Sequence, residues 1–212
     1  KDIQKLVEQN TQELFNLDFV KSEFSLNEFR IDTLCFDKEN NSFVIIEYKK
    51  GKSYSVIDQG YSYLSLMVNN KSDFILEYNE NKKNNLKRGD VDWRNSKVIF
   101  ISPSFNSYQK NSVNFQDVPF ELWEIKKYST NMISLNQHQS SSRESIQKIE
   151  GNKSSIIKDV SKEVKVYTED EVFGRKNVND ITRELYEELK EKISDWEDIR
   201  FVPKYHYIGV WK

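Results

Sequence analysis

Ser42-Phe43-Val44-Ile45-Ile46-Glu47-Tyr48-Lys49-Lys50 is an apolar run that ends in charge. β-Branched and aromatic residues crowd it, so it reads as a strand. Alternation along a strand puts Phe43, Ile45, Glu47 and Lys49 on one face. That face begins as core and ends in a carboxylate and an ammonium. Unpaired charge beside an apolar interior is costly, so the arrangement calls for a chemical reason.

The segment before it, Glu28-Phe29-Arg30-Ile31-Asp32-Thr33-Leu34-Cys35-Phe36, also reads as a strand. Between the two lies Asp37-Lys38-Glu39-Asn40-Asn41, a polar stretch with turn-forming Asn. A hairpin symmetric about Glu39 and Asn40 sets Asp32 opposite Glu47 and Arg30 opposite Lys49. Opposed side chains have Cβ atoms roughly 5 Å apart, and like charges there are destabilising. Two opposed carboxylates beside a lysine make poor sense as structure and good sense around a divalent cation. A one-residue bulge would break that register.

Composition narrows the classes. The chain has 212 residues, 37% hydrophobic and 13% aromatic, enough for one substantial domain and a smaller piece. No apolar run approaches the roughly 20 residues that span a bilayer. The opening Lys1-Asp2-Ile3-Gln4 does not read as a signal peptide, and without an initiator Met further residues are expected upstream. The one cysteine, Cys35, rules out an intramolecular disulfide, fits a reducing cytoplasm and reads as a small buried hydrophobe. A formal net charge of -2 argues against a broad basic surface, so any nucleic-acid contact would rest on local patches and a metal.

Along the chain, Asp2 to Phe15 fits one amphipathic helix, with Ile3, Leu6, Val7, Leu14 and Phe15 as its apolar residues. Phe19 to Phe24 reads as a first strand, before the two strands above. A helix is expected from about Val56, with Ile57, Tyr61, Leu64 and Val68 as the core stripe, and a short helix over Asp73 to Asn79. Lys97 to Ser102 reads as a buried strand, Phe105 to Val113 as a short helix, and Phe120 to Ile125 as a last strand extended by Met132 to Leu135. The expected fold class is α/β, a mixed central sheet flanked by helices. Residues 1–136 are expected to form that domain, 137–170 a linker poor in core residues, and 171–212 the start of a second small α+β domain, expected to be truncated. His138 and His206 are too far apart in sequence to suggest a shared site, and no Gly-rich phosphate loop or Cys/His zinc spacing is present.

Asp32 with Glu47-Tyr48-Lys49 resembles the signature of the PD-(D/E)XK nuclease superfamily, with Ile31 in place of the proline. Gln59 and Tyr63, four apart on the following helix, share a face and match the Gln-x-x-x-Tyr element of its RecB-like branch. The order helix, three strands, helix, strand is also that family's core, restriction-endonuclease-like, and the resemblance covers roughly Asp2 to Leu135. Arg30 to Leu34 with Val44 to Lys52 is similar to a prokaryotic subgroup in which such a domain precedes one once labelled a predicted transport protein. The tail from about Val166 looks like the beginning of that second domain.

The resemblance implies a metal-dependent nuclease hydrolysing DNA, in defence or repair by analogy. Asp32, Glu47 and the Tyr48 carbonyl would bind Mg²⁺ or Mn²⁺, and Lys49 would orient or deprotonate a water. Gln59 and Tyr63 would support them or touch the substrate. Arg30, Lys50 and Lys52 are the expected nucleic-acid contacts. A further acidic ligand from the first helix is assigned to Glu8, with Glu13 as its rival. DNA is the expected partner, a membrane is not, and a homodimer is left open. The alternative is a nuclease-fold module that binds nucleic acid or a protein without cutting.

Overall fold

The computed structural model describes residues 2–50, 55–128, 132–140, 142, 155–194, 196 and 199–211. The chain divides into two units, Lys1–Lys165 and Val166–Lys212.

The first unit opens with α1 (Asp2–Gln9) and α2 (Thr11–Phe15). One continuous helix was expected here, and Asn10 divides it. Its side-chain amide donates to the carbonyl of Leu6 at 2.7 Å, competing for the group that would continue the helix. Asn16, with φ 54°, closes α2 in the left-handed region.

Three strands follow, β1 (Asp18–Leu26), β2 (Phe29–Asp37) and β3 (Ser42–Tyr48), paired antiparallel in sequence. The β2–β3 turn is built by Asp37, whose Oδ1 accepts the backbone N–H groups of Glu39 and Asn40, each at 3.0 Å. Asn41 takes a φ of 48°, as Asn tolerates. The ladder runs from Asp37↔Ser42 to Thr33↔Ile46, the register expected from symmetry about Glu39 and Asn40.

The chain then crosses through α3 (Val56–Asn69) and α4 (Lys71–Lys82) to β4 (Lys97–Ser102), which lies parallel to β3. After α5 (Ser107–Ser112), β5 (Phe120–Lys127) pairs parallel to β4, and β6 (Ile133–Gln137) turns back antiparallel to β5. Residues near 133 thus form a hairpin partner of the last expected strand instead of extending it. The six strands stand in sequence order, a mixed central sheet flanked by helices, which is the expected class.

Each face of the sheet carries its own core. Phe43 and Ile45 of β3 and Ile31, Leu34 and Phe36 of β2 face α3 and α4, where Leu64, Met67 and Phe74 meet them. Val44, Ile46 and Cys35 face the other way, against Val7 of α1, with Leu6, Leu14 and Phe15 partly buried beside it. Cys35 is fully buried, as read from the sequence. On α3 the buried stripe is Val56, Gly60, Tyr61, Tyr63, Leu64, Leu66 and Met67, with Ile57 and Val68 at its margins. Gly60 permits the close approach to β5: a Cβ there would lie 2.5 Å from the Phe120 ring.

Residues read as linker contain α6 (Ser155–Glu163), which buries Val160, with Val164 just beyond it, in the core on the α3 side. Its Glu163 pairs with Lys71 at 2.7 Å.

The second unit holds α7 (Glu169–Arg175), α8 (Asp180–Ser194) and the hairpin of β7 (Arg200–Pro203) and β8 (Ile208–Trp211). Thr168 and Glu171 form a reciprocal capping box at the start of α7. The Arg175 guanidinium lies 4.2 Å from the Tyr167 ring centroid and 4.6 Å from that of Tyr205. Ile181, Leu185 and Leu189 of α8 are exposed.

Candidate functional site

The parallel pairing of β3 with β4 continues past Tyr48, because the Lys49 N–H donates to the carbonyl of Ile101 at 2.8 Å. Glu47 and Lys49 therefore keep their strand alternation and share the α3 side of the sheet with Phe43 and Ile45. Both are nearly buried, each 8% exposed. Such burial of charge requires partners, and α3 supplies them.

Gln59 and Tyr63, one helical turn apart, reach down onto Glu47. Gln59 Nε2 donates to Glu47 Oε1 at 2.7 Å, and the Tyr63 hydroxyl donates to Glu47 Oε2 at 3.0 Å. Gln59 Nε2 also lies 2.9 Å from the Tyr63 oxygen. The carbonyl oxygen of Gln59 accepts from Lys49 Nζ. One glutamine thus uses both ends of its amide, tying the ammonium to the carboxylate, while Lys49 Nζ stands 3.9 Å from Glu47 Oε1. The Phe100 ring, its centroid 5.6 Å from Lys49 Nζ, underlies the amine.

Asp32 enters from β2, where the ladder with β3 has ended. Its Oδ2 accepts the backbone N–H of Tyr48 at 3.0 Å, so a side chain takes the place of a strand carbonyl. Among the described residues, Asp32 Oδ1 takes no hydrogen bond. The expected opposition of Arg30 to Lys49 lies beyond the paired register. Arg30 turns outward to pair with Glu23, and only its carbonyl, 3.2 Å from the Tyr63 hydroxyl, joins the network.

Electrostatics follow from this packing. Burial first, and then the charge of Asp32, push the Glu47 carboxyl up to about 7, against the opposing pull of Lys49, Tyr63 and Gln59. Burial lowers the Lys49 amine from its ordinary value, with Glu47 and Asp32 acting in the other direction. The Tyr63 phenol is raised by burial and by the Glu47 charge, so it stays protonated and donates.

Other expected residues are placed differently. Glu8 lies on the opposite side of the sheet from Glu47, accepting from Thr33 Oγ1 at 2.6 Å, Ser22 Oγ at 2.8 Å and Gln4 Nε2 at 3.1 Å. Val7 beside it belongs to that side's core, as do Cys35, which shares a face of β2 with Thr33, and Ile46, which alternates with Glu47 along β3. Its rival Glu13 is exposed on α2. Lys50 is exposed next to Lys49, and Lys52 lies outside the described residues. Sequence reasoning missed Gln4, Thr33 and Phe100. Gln4 stands one helical turn before Glu8 and Thr33 next to Asp32, a weak signal in each case. Phe100 meets Lys49 only through the parallel pairing of β3 with β4.

Among the described residues no group of three or more His, Cys, Asp or Glu side chains could hold a metal ion. A pair of carboxylates, here Asp32 and Glu47, still suits Mg²⁺, which commonly takes one or two carboxylates and completes its shell with water and substrate oxygens. Burial and then the Asp32 charge raise the Glu47 carboxyl, and a cation beside it would favour the ionised form. The donor set fits.

An uncharacterized protein of Haemophilus influenzae is 46% identical to the chain over 211 residues, which is 99% of the chain and 69% of that protein. The chain belongs to its family. No protein-family model matches. Among solved structures, the chain is similar to an EndoMS–dsDNA2 complex at 15% identity and a TM-score of 0.36, over 57% of this chain and 43% of that one. A repair endonuclease from Pyrococcus abyssi matches at 17% identity and a TM-score of 0.29, over 51% of this chain and 39% of that one. SfsA of Pyrococcus furiosus, solved in complex with Ca²⁺, matches at 13% and 0.29, over 63% and 59%. The matched part is under two thirds of each of those chains. TM-scores this low leave the fold to rest on the strand order and register themselves. No described helix is long and apolar enough to cross a membrane.

Proposed function

We propose that the first unit is a metal-dependent nuclease of the PD-(D/E)XK type that hydrolyses DNA phosphodiester bonds. One observation carries the reading: a nearly buried Glu47 and Lys49, joined through the two ends of the Gln59 amide and met by Tyr63, beside Asp32 at the open end of the β2–β3 hairpin.

Asp32 and Glu47 would hold Mg²⁺ or Mn²⁺, with the Tyr48 carbonyl as a further oxygen ligand. Bound there, the cation supplies Lewis acidity toward a phosphoryl oxygen and lowers the pKa of water. The chain's own residues do the rest. Lys49, its amine lowered by burial, is suited to orient or deprotonate the attacking water and to offset charge developing on the phosphate. Gln59 fixes the amine relative to the carboxylate, and Tyr63 holds Glu47 in one rotamer. Lys50, exposed beside Lys49, and Arg30, released from Glu23, would meet the nucleic-acid backbone.

Plasmid and short oligonucleotides incubated with Mg²⁺, with Mn²⁺ and with EDTA test the reading. Cleavage requiring the cation and lost in Lys49→Ala is the expected result. Binding without cutting by the folded wild type would make the domain a binding module. Cutting that survives Lys49→Ala would refute the assigned chemistry.

A further inference from the structure

Asp32 sits where β2 leaves its ladder with β3, while the ladder with β1 runs on past it, from Ser22↔Thr33 to Phe24↔Ile31. The last residues paired between β2 and β3 are Thr33 and Ile46. Beyond them, on the edge that β3 has left, two hydrogen bonds reach Asp32: its carboxylate accepts the Tyr48 N–H at 3.0 Å, and its carbonyl accepts Gln4 Nε2 at 3.2 Å. Gln4 belongs to α1, and the same Nε2 lies 3.1 Å from Glu8 Oε1, one helical turn further on.

Glu8 gathers the remaining contacts. Its Oε1 accepts from Thr33 Oγ1 at 2.6 Å and from Ser22 Oγ at 2.8 Å. A hydroxyl has one proton, and the shorter contact takes it, so the Tyr48 hydroxyl is the donor in its 3.3 Å contact with Thr33. Tyr48 is therefore held at both ends. Its amide lies on the Asp32 carboxylate, and its phenol lies on a threonine that is itself anchored to Glu8. Thr33 is fully buried, so solvent cannot replace the lost partner at little cost.

We infer that Glu8, with Gln4, is a positioning residue: through Thr33 and Tyr48 it clamps α1 onto the open end of the hairpin and sets the carboxylate of Asp32, without itself binding the cation. The expectation that Glu8 is a metal ligand is replaced by this role. What Asp32 is positioned for rests on the metal-dependent reading above. The clamp itself is a property of the metal-free protein and is measurable there.

The test uses the full chain and the variants Glu8→Ala, Glu8→Gln and Thr33→Val, with two readouts. The first is amide hydrogen exchange in EDTA. The Tyr48 amide is expected to exchange about tenfold faster in Glu8→Ala and in Thr33→Val, while the ladder amides around Ile45 stay near wild type. The second is Mn²⁺ titration. Glu8→Gln still offers an oxygen to Thr33 and is expected to keep wild-type affinity within about threefold, whereas Glu8→Ala weakens it about tenfold, as supporting groups around a metal typically do. Unchanged Tyr48 exchange in both disrupted variants overturns the inference, as does a Glu8→Gln that loses Mn²⁺ as completely as Glu8→Ala. Should Glu8→Ala not fold, Thr33→Val, which leaves the carboxylate in place, decides the exchange result. A wild type that binds no Mn²⁺ would sink the nuclease reading and leave exchange to judge the clamp.

Discussion

Asp32 Oδ2 accepts the backbone N–H of Tyr48 at 3.0 Å, one position past the last ladder pair, Thr33↔Ile46. A side-chain carboxylate has replaced a strand carbonyl. The replacement opens the hairpin end and brings a second negative charge toward Glu47, while β3, by its other edge, continues along β4 as far as Lys49.

The charge on Asp32 is one reason the Glu47 proton is held so tightly. In Asp32→Asn the neighbouring charge is gone, and the Glu47 carboxyl is expected to fall below its present value of about 7, toward the ordinary 4.5, without reaching it because burial remains. Carboxyl ¹³C chemical shifts followed against pH read this directly. An unmoved Glu47 titration would mean that burial alone sets it.

Glu47 also makes the metal-free fold sensitive to pH. Its carboxyl is raised on folding from 4.5 to about 7, so the folded state binds the proton more tightly than the unfolded chain. The associated stability is complete below the unfolded value and is lost as pH rises to the folded one, on the order of 3 kcal/mol in all. In EDTA, the urea-unfolding free energy of wild type relative to Glu47→Gln is expected to fall between about pH 4.5 and 7 and then level. A difference that stays flat across that window contradicts the assigned burial and charge.

Tyr63 donates to Glu47 Oε2, which it meets at 3.0 Å, and its oxygen lies 3.2 Å from the Arg30 carbonyl. Tyr63→Phe removes a partner from a buried carboxylate and is expected to cost about 1–3 kcal/mol at a pH where Glu47 is ionised. The cost should shrink in acid, where Glu47 is protonated. Denaturant melts at two pH values check both parts.

Gly60 tests the seat of α3 independently of the chemistry. Alanine favours helix over glycine by about 1 kcal/mol. Here its Cβ would lie 2.5 Å from the Phe120 ring, which is wedged edge-on against Tyr61 at 4.9 Å and Phe100 at 6.1 Å. The ring has little room to swing aside, so Gly60→Ala is expected to destabilise by about 1–3 kcal/mol. A stabilised variant would show that the helix can shift off the sheet.

Much of the central hairpin was legible because its turn chemistry is local. Asp37 and Asn41 set the loop, and alternation then placed Glu47 and Lys49 on one face. Gln59 and Tyr63 were legible through their helical spacing and the family they resemble. Glu8 was not, because its face depends on how α1 docks, and Asn10 breaks the helix expected to run on to Phe15. Helix α6 was hidden by composition: Ile157, Val160 and Val164 carry a helical stripe inside a Lys- and Ser-rich stretch that reads as linker. Phe100 beneath Lys49 depends on a parallel pairing that local sequence does not encode.

On the metal-dependent reading proposed above, Asp32 and Glu47 share one divalent cation, and Mn²⁺ binding to the isolated protein decides whether they do. Calorimetric titration should find a site in the wild type that weakens at least about tenfold in Asp32→Asn and in Glu47→Gln, with the double variant no worse than the weaker single one. Equal affinity in wild type and both single variants, or no binding by a folded wild type, would contradict it.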